Sequence, residues 1–172
     1  MVSNDYVFTD DVKINTAINF YLNNKNTDFP IIISGKNGSG KTHVLKSLQN
    51  YYQTKTDSKV IYISAESFKN EFIDSIKKGT TATFREKYRN IDTLLIDDFE
   101  ILKNNDATLR ELCFIFYKLL NKKASIYVAT TCPLTKGFIP KLKTLLSNAM
   151  TLYLPASTKQ KLLKVVFYVR NK

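Results

Sequence analysis

A parallel α/β sheet covered by helices on both faces is the fold that this 172-residue sequence predicts. Three observations carry the prediction. Short apolar runs alternate along the chain with segments of helical periodicity, the first run leads straight into a glycine-rich segment and a helix, and the third run ends in two consecutive acids. Strands that alternate with helices pair in parallel, because each crossover helix returns the chain to the same end of the sheet. Strands buried on both faces then read as continuous apolar runs rather than as alternating ones.

Residues 11–23 predict an opening helix, with Val12, Ile14, Ala17, Ile18 and Tyr21 on one stripe. Pro30 ends the connection that follows, and residues 31–34 (IIIS) read as a buried strand. A helix over 41–52 precedes a second strand at 60–63 (VIYI), and residues 65–89 read as two helices broken near Gly79. A third buried strand spans 92–96, followed by a long helix over 107–121 with Leu109, Leu112, Phe116 and Leu119 on its apolar stripe. Ser125–Thr130 is a fourth strand, closed by Pro133; residues 139–147 are helical, and Met150–Leu154 is a fifth strand. A last helix is expected over 157–170, with Ser157 as its N-cap. No repeat, low-complexity tract or linker divides the chain, so residues 1–172 are read as a single domain.

Composition narrows the function classes. No apolar run approaches the roughly 20 residues needed to cross a bilayer, and the polar start MVSNDYVFTDD argues against a signal peptide. A cytoplasmic protein with no membrane partner is expected. Cys113 and Cys132 have neither metal-binding nor redox spacing and read as reduced core thiols. The net charge of +11 is unevenly placed: residues 1–111 hold 15 Lys+Arg and all 15 Asp+Glu, whereas residues 112–172 hold 11 cations and no acid. A one-signed C-terminal third either attracts a polyanion such as nucleic acid or is a generic solvated face.

The chemistry is carried first by Gly35, Lys36, Asn37, Gly38, Ser39, Gly40, Lys41 and Thr42, which match G-x-x-x-x-G-K-[ST] in full between a strand and a helix. Glycines let the backbone curl so that successive N–H groups point at phosphate oxygens, and the helix that follows adds the positive end of its dipole. Lys41 is expected to reach the β- and γ-phosphates of ATP or ADP, and the Thr42 hydroxyl to ligate Mg²⁺. The second signal is Leu94-Leu95-Ile96-Asp97-Asp98, a hydrophobic strand ending in acid. Asp97 would hold Mg²⁺ through water and Asp98 would polarise the attacking water, making Asp98 a candidate catalytic residue. Asp98 is one methylene shorter than the glutamate usual in fast ATPases, so at most slow hydrolysis is expected. Thr130 and Thr131, at the end of SIYVATT, stand where such ATPases place a polar sensor of the γ-phosphate; Thr131 is the candidate, and ordinary strand-end threonine is the other reading.

GKNGSGKTHVLKSLQNYY, VIYISAESFKNEFIDSI and FREKYRNIDTLLIDDFEIL together resemble the AAA+ domain of the bacterial replication initiator DnaA and its Hda-type regulators. Residues 88–98, Y-R-x-[IV]-D-x-L-L-I-D-D, are the most specific part; the similarity runs from about Asp5 and weakens after Asn121. The resemblance implies an AAA+ sheet of order 5-1-4-3-2, ATP/ADP switching, self-assembly or assembly with an initiator, and a role in chromosome replication. It places Tyr6, Val7 and Phe8 against adenine and extends the nucleotide-binding segment to His43. The helix with Phe72 and Ile73 corresponds to the initiator-specific insertion, where Ile73 takes the position that meets single-stranded DNA; helix core is the competing reading for both. The family's assisting basic residue falls on Ala107, with Lys103 nearby as a substitute.

Two departures bear on turnover. Residues 141–146 read KLKTLL where the family carries its arginine finger, leaving Lys141 as the cation there. Lysine cannot present a rigid bidentate fork to phosphate. The lid subdomain, with its second sensor arginine, and the helix-turn-helix domain are expected to be absent. A helicase-loader-type ATPase and a nucleotide-holding, nucleic-acid-binding module without turnover are the alternative readings; a small-molecule kinase lacks an acceptor motif.

Overall fold

The computed structural model describes residues 29–55, 58–134, 137–154 and 165–166. The opening helix expected over 11–23 and the adenine candidates Tyr6, Val7 and Phe8 lie outside them. In chain order the described elements are β1 (Ile31–Gly35), α1 (Lys41–Lys55), β2 (Val60–Ser64), α2 (Ala65–Lys77), α3 (Thr81–Arg89), β3 (Thr93–Asp97), a 3₁₀ turn (Phe99–Leu102), α4 (Asp106–Asn121), β4 (Ser125–Thr130), α5 (Pro140–Leu145), β5 (Met150–Leu154) and β6 (Val165–Val166). The sheet order is β2-β3-β4-β1-β5-β6. Its first five strands pair in parallel, which is the 5-1-4-3-2 arrangement read from the other edge.

One expectation is corrected at the C-terminal end. Val165 and Val166 are not helical: they pair antiparallel with Leu152 and Thr151 of β5. Two β-branched residues lose side-chain freedom in a helix but fit a pleated edge, and β5 offers an open edge for them. The remainder of the helix expected over 157–170 lies outside the described residues.

The apolar runs divide their side chains between two cores. Leu94 and Ile96 of β3, with Ile126 and Val128 of β4, face α2–α5, whereas Leu95, Tyr127 and Ala129 join Ile31 and Ile33 of β1 and Val44, Leu45 and Leu48 of α1 on the opposite face. Successive strand residues point to opposite faces, so all of β3 is buried with no polar alternation to betray it. Asp97, two residues beyond Leu95, falls on the α1 face.

Local chemistry fixes the helices that frame the site. The Ser64 hydroxyl caps α2 by accepting the Ser67 N–H at 3.1 Å. Its C-terminal end closes on Gly79 at φ +65°, with Gly79 N–H donating to Ile76 O and Thr80 N–H to Ser75 O, the paired bonds that a left-handed residue after a helix makes possible. Phe68 and Phe72 of α2 pack on Phe84 and Tyr88 of α3, with ring centroids 5.3–5.6 Å apart. The Arg85 guanidinium grips the buried Glu111 of α4 through two bonds of 2.6 and 2.7 Å, tying α3 to α4.

Candidate functional site

The site lies at the C-terminal edge of the sheet, where β1 gives way to α1 and β3 ends in Asp97. Gly35 is required by packing: a Cβ there would stand 2.6 Å from the Leu154 carbonyl oxygen of β5. Gly38 and Gly40 are required by conformation, at φ +75° and +96°. Lys36, Asn37 and Gly38 are exposed at the loop tip, as are Thr42 and His43 in the first turn of α1, whereas Lys41 and Ser39 are buried. Ser39 N–H donates to Lys36 O, which closes the curl, and the first N–H groups of α1 have no carbonyl within the helix to bond. The Lys41 ammonium lies inside the loop, donating to Gly35 O at 2.9 Å and Lys36 O at 3.1 Å. A buried cation inside a curled glycine-rich loop at the start of a helix fits the charge of a di- or triphosphate.

Across β4, Asp97 is 2% exposed. Its Oδ1 accepts the Asp98 N–H at 3.0 Å and its Oδ2 accepts the Tyr62 hydroxyl at 2.9 Å. Burial, and then the Asp97 and Asp98 carboxylates, push the Tyr62 phenol far above the usual tyrosine range, so it remains a donor. Asp98 turns away into the left-handed region at φ +52° and is exposed. Desolvation, followed by the charges of Asp97 and Glu100, raises its carboxyl, and Lys41 opposes them. No cluster of three or more His, Cys, Asp and Glu that could hold a metal occurs among the described residues. A hard cation here would therefore draw on Asp97, the Thr42 hydroxyl, phosphate oxygens and water, which is the ordinary donor set for Mg²⁺.

At the tip of β4, Thr130 is buried and its hydroxyl donates to the Cys132 carbonyl at 3.1 Å. Thr131 is held by Glu100, which accepts both its N–H and its hydroxyl. Burial alone would push the Glu100 carboxyl up, but the bonds from Thr131 and from main-chain N–H groups outweigh it and leave it below the ordinary range. Neither Glu100 nor Tyr62 belongs to the phosphate loop, the strand-end acid pair or the strand-end threonines that the sequence marks as site residues. A second acid three residues past the Asp97 strand end was the available signal for Glu100. Tyr62 carried none beyond its place in an apolar strand.

The remaining candidates separate. Phe72 is core, 7% exposed, whereas Ile73 is 37% exposed and Ile76 is 55% exposed on the outer side of α2. Ala107 and Lys103 are exposed near the start of α4, and the Lys103 side chain lies over Gly137. Lys141, at the arginine-finger position, is exposed on α5. Cys113 is buried, its thiol pushed up to about 11 by desolvation, and neither it nor Cys132 forms a disulfide. Of the basic C-terminal third, Lys118, Lys122, Lys123, Lys141 and Lys143 are described and all are exposed. Lys122 is paired with Asp92 at 3.6 Å, and Lys118 stands over the Phe114 ring. No described helix is long and apolar enough to cross a membrane.

A parallel sheet of this order, with a phosphate-type loop after its central strand and an acid at the tip of β3, defines a P-loop nucleoside-triphosphatase domain of the AAA+ type. The family model "Bacterial DnaA ATPase domain" matches residues 4–152, and the chain belongs to that family. Among solved structures, a replication initiator DnaA bound to AMPPCP and single-stranded DNA superposes with a TM-score of 0.78 at 27% identity, covering 89% of this chain and 49% of that one. Domain III of DnaA from Thermotoga maritima gives 0.75 at 30% identity, covering 83% of this chain and 60% of that one. The DnaC helicase loader shares the fold alone, with a TM-score of 0.56 at 16% identity over 87% of this chain and 94% of that one. The chain thus spans about half the length of the DnaA structure with bound nucleotide that it matches.

Proposed function

We propose that this domain binds ATP and ADP with Mg²⁺ and uses the difference between them as a switch in the initiation of DNA replication or its regulation. The observation that carries the reading is the placement of the Lys41 ammonium within the loop of residues 35–42, with the Asp97 carboxylate on the same face of the sheet. In this reading the loop amides and Lys41 hold the phosphates, with His43 next to them in the same turn. Thr42 and Asp97 hold the metal, Asp98 orients the attacking water, and Thr131 reports on the γ-phosphate. Tyr6, Val7 and Phe8 would close over adenine. Isothermal titration of the protein with ATP and ADP, in Mg²⁺, tests it. Binding of both nucleotides that Lys41→Ala abolishes is the expected result; no heat with the unaltered chain would end the proposal.

Turnover is proposed to be slow. Lys141 supplies a point charge where relatives of this type use a forked guanidinium, and loss of such a finger costs about 10³-fold or more at a neighbour's site. The partner is proposed to be a replication initiator or a second copy of this chain. Single-stranded DNA is a further proposed ligand, through the exposed Ile73 and the basic C-terminal third. The Phe114 ring flanked by Arg85 at 5.2 Å and Lys118 at 5.6 Å supports a second reading, a nucleic-acid-binding module that holds nucleotide without turning it over. Salt-dependent oligonucleotide binding without measurable phosphate release would select that reading.

A further inference from the structure

Asp97 does not stand alone at the strand tip. In the register of β2 on β3, Tyr62 lies beside Leu95, and Ser64 lies beside Asp97. Tyr62 is therefore one side-chain repeat short of Asp97 on the same face, packed against the α1-side core. A phenol has the length to span that repeat, and its hydroxyl meets Asp97 Oδ2 at 2.9 Å. With Oδ1 taken by the Asp98 N–H, each carboxylate oxygen accepts one protein hydrogen bond and keeps further acceptor capacity. The two donors approach different oxygens, so the carboxylate plane is fixed as well as its position.

We propose that Tyr62 is a positioning residue for metal binding: its hydroxyl orients Asp97 so that the carboxylate's remaining acceptor sites serve Mg²⁺ and its water. The inference rests on the nucleotide-binding reading above and adds to it a residue that no phosphate-loop or strand-tip motif includes. A buried carboxylate needs donors in any case, so a purely structural bond would alter folding stability and nothing else. A positioning bond alters the coupling between metal and nucleotide. Groups that orient a metal-binding side chain typically change metal affinity about 10- to 100-fold when removed.

The test is Tyr62→Phe in the full chain, which deletes one oxygen and keeps the ring in the core. ADP affinity is measured by titration calorimetry in EDTA and across a range of Mg²⁺ concentrations, with a thermal melt of each protein. The expected result is unchanged ADP affinity in EDTA, within about twofold, and a loss of about tenfold or more in the gain that Mg²⁺ confers. In an Asp97→Ala background the same substitution should have no further effect, since the oriented group is gone. An undiminished Mg²⁺ gain in Tyr62→Phe, or an equal loss with and without the metal, overturns the positioning role while leaving the nucleotide site intact. An unaltered chain that binds no ADP under either condition removes the nucleotide reading and this inference together.

Discussion

Glu100 holds Thr131 at both of its donors: one carboxylate oxygen accepts the backbone N–H at 3.1 Å and the other accepts the hydroxyl at 2.5 Å. The contact joins the turn after β3 to the tip of β4, the strand that pairs with β1. A carboxylate whose folded pKa is depressed gives stability that is present above its unfolded value and is lost as pH falls through the folded one. Glu100→Ala should therefore lower stability at pH 7 by about 2 kcal/mol, in the range for hydrogen bonds to a charged group. The deficit should narrow below about pH 4, where the unaltered carboxyl also gains a proton. Denaturant melts at several pH values measure it; a deficit that does not change with pH would contradict the assignment.

Asp98 is predicted to behave in the opposite sense. Partial desolvation first, and then the charges of Asp97 and Glu100, raise its folded pKa. The stability linked to such a group is fully present below its unfolded pKa and is lost as pH rises through the folded value. Ionised Asp98 is thus a cost at neutral pH, and Asp98→Asn should melt at a higher temperature than the unaltered protein at pH 7. The two curves should converge on acidification toward about pH 4. If Asp98 orients the attacking water, the same variant should keep its ATP affinity and lose most of its ATP turnover, by about tenfold or more. Melting temperatures and phosphate release on one preparation separate the two effects.

Phe72 and Ile73 are adjacent in sequence and opposite in consequence. Phe72 packs in the aromatic cluster of α2 and α3, and Phe72→Ala should cost about 3–5 kcal/mol. Ile73 is more than a third exposed, and Ile73→Ser should leave stability within about 0.5 kcal/mol. If α2 meets single-stranded DNA, Ile73→Ser should weaken oligothymidine binding with ADP affinity unchanged. Equal oligonucleotide affinity in the variant and the parent would exclude Ile73 from that surface.

The loop offers a paired stability test. Gly35→Ala pushes a methyl against the Leu154 carbonyl oxygen and should destabilise by about 1–3 kcal/mol. Ser39 is the reverse case: its hydroxyl is buried and has no hydrogen-bond partner among the described residues. Since an unsatisfied buried hydroxyl is costly, Ser39→Ala should be neutral or stabilising by about 1 kcal/mol. Chemical denaturation of the two variants beside the parent checks both signs.

Much of the fold was legible because its signals are local. Ser125–Thr130 and Met150–Leu154 match the strands of the structure end to end, since each is a short run rich in apolar and β-branched residues. The third strand is displaced by one residue, to Thr93–Asp97. Asp92 is drawn out of it: its carboxylate accepts the Lys59 N–H and pairs with Lys122, contacts that no window around residue 92 contains. The final helix failed at Val165 and Val166 because its periodicity competed with an exposed β5 edge, and edge pairing is settled by what lies alongside in space.

The sequence by itself determined the strand-loop-helix unit around residues 35–42, the acid at the end of the third strand, and the alternation that makes the sheet parallel. Each is encoded within a few residues, by glycine conformations, apolar runs and caps. Only the tertiary structure decided that Tyr62 meets Asp97, that Glu100 holds Thr131, that Arg85 pairs with Glu111, and that Ile73 rather than Phe72 faces outward. Those partners lie 35, 31 and 26 residues apart. Whether they meet depends on strand register and on the face each side chain takes, and a register shift of one residue would reverse every face in the strand.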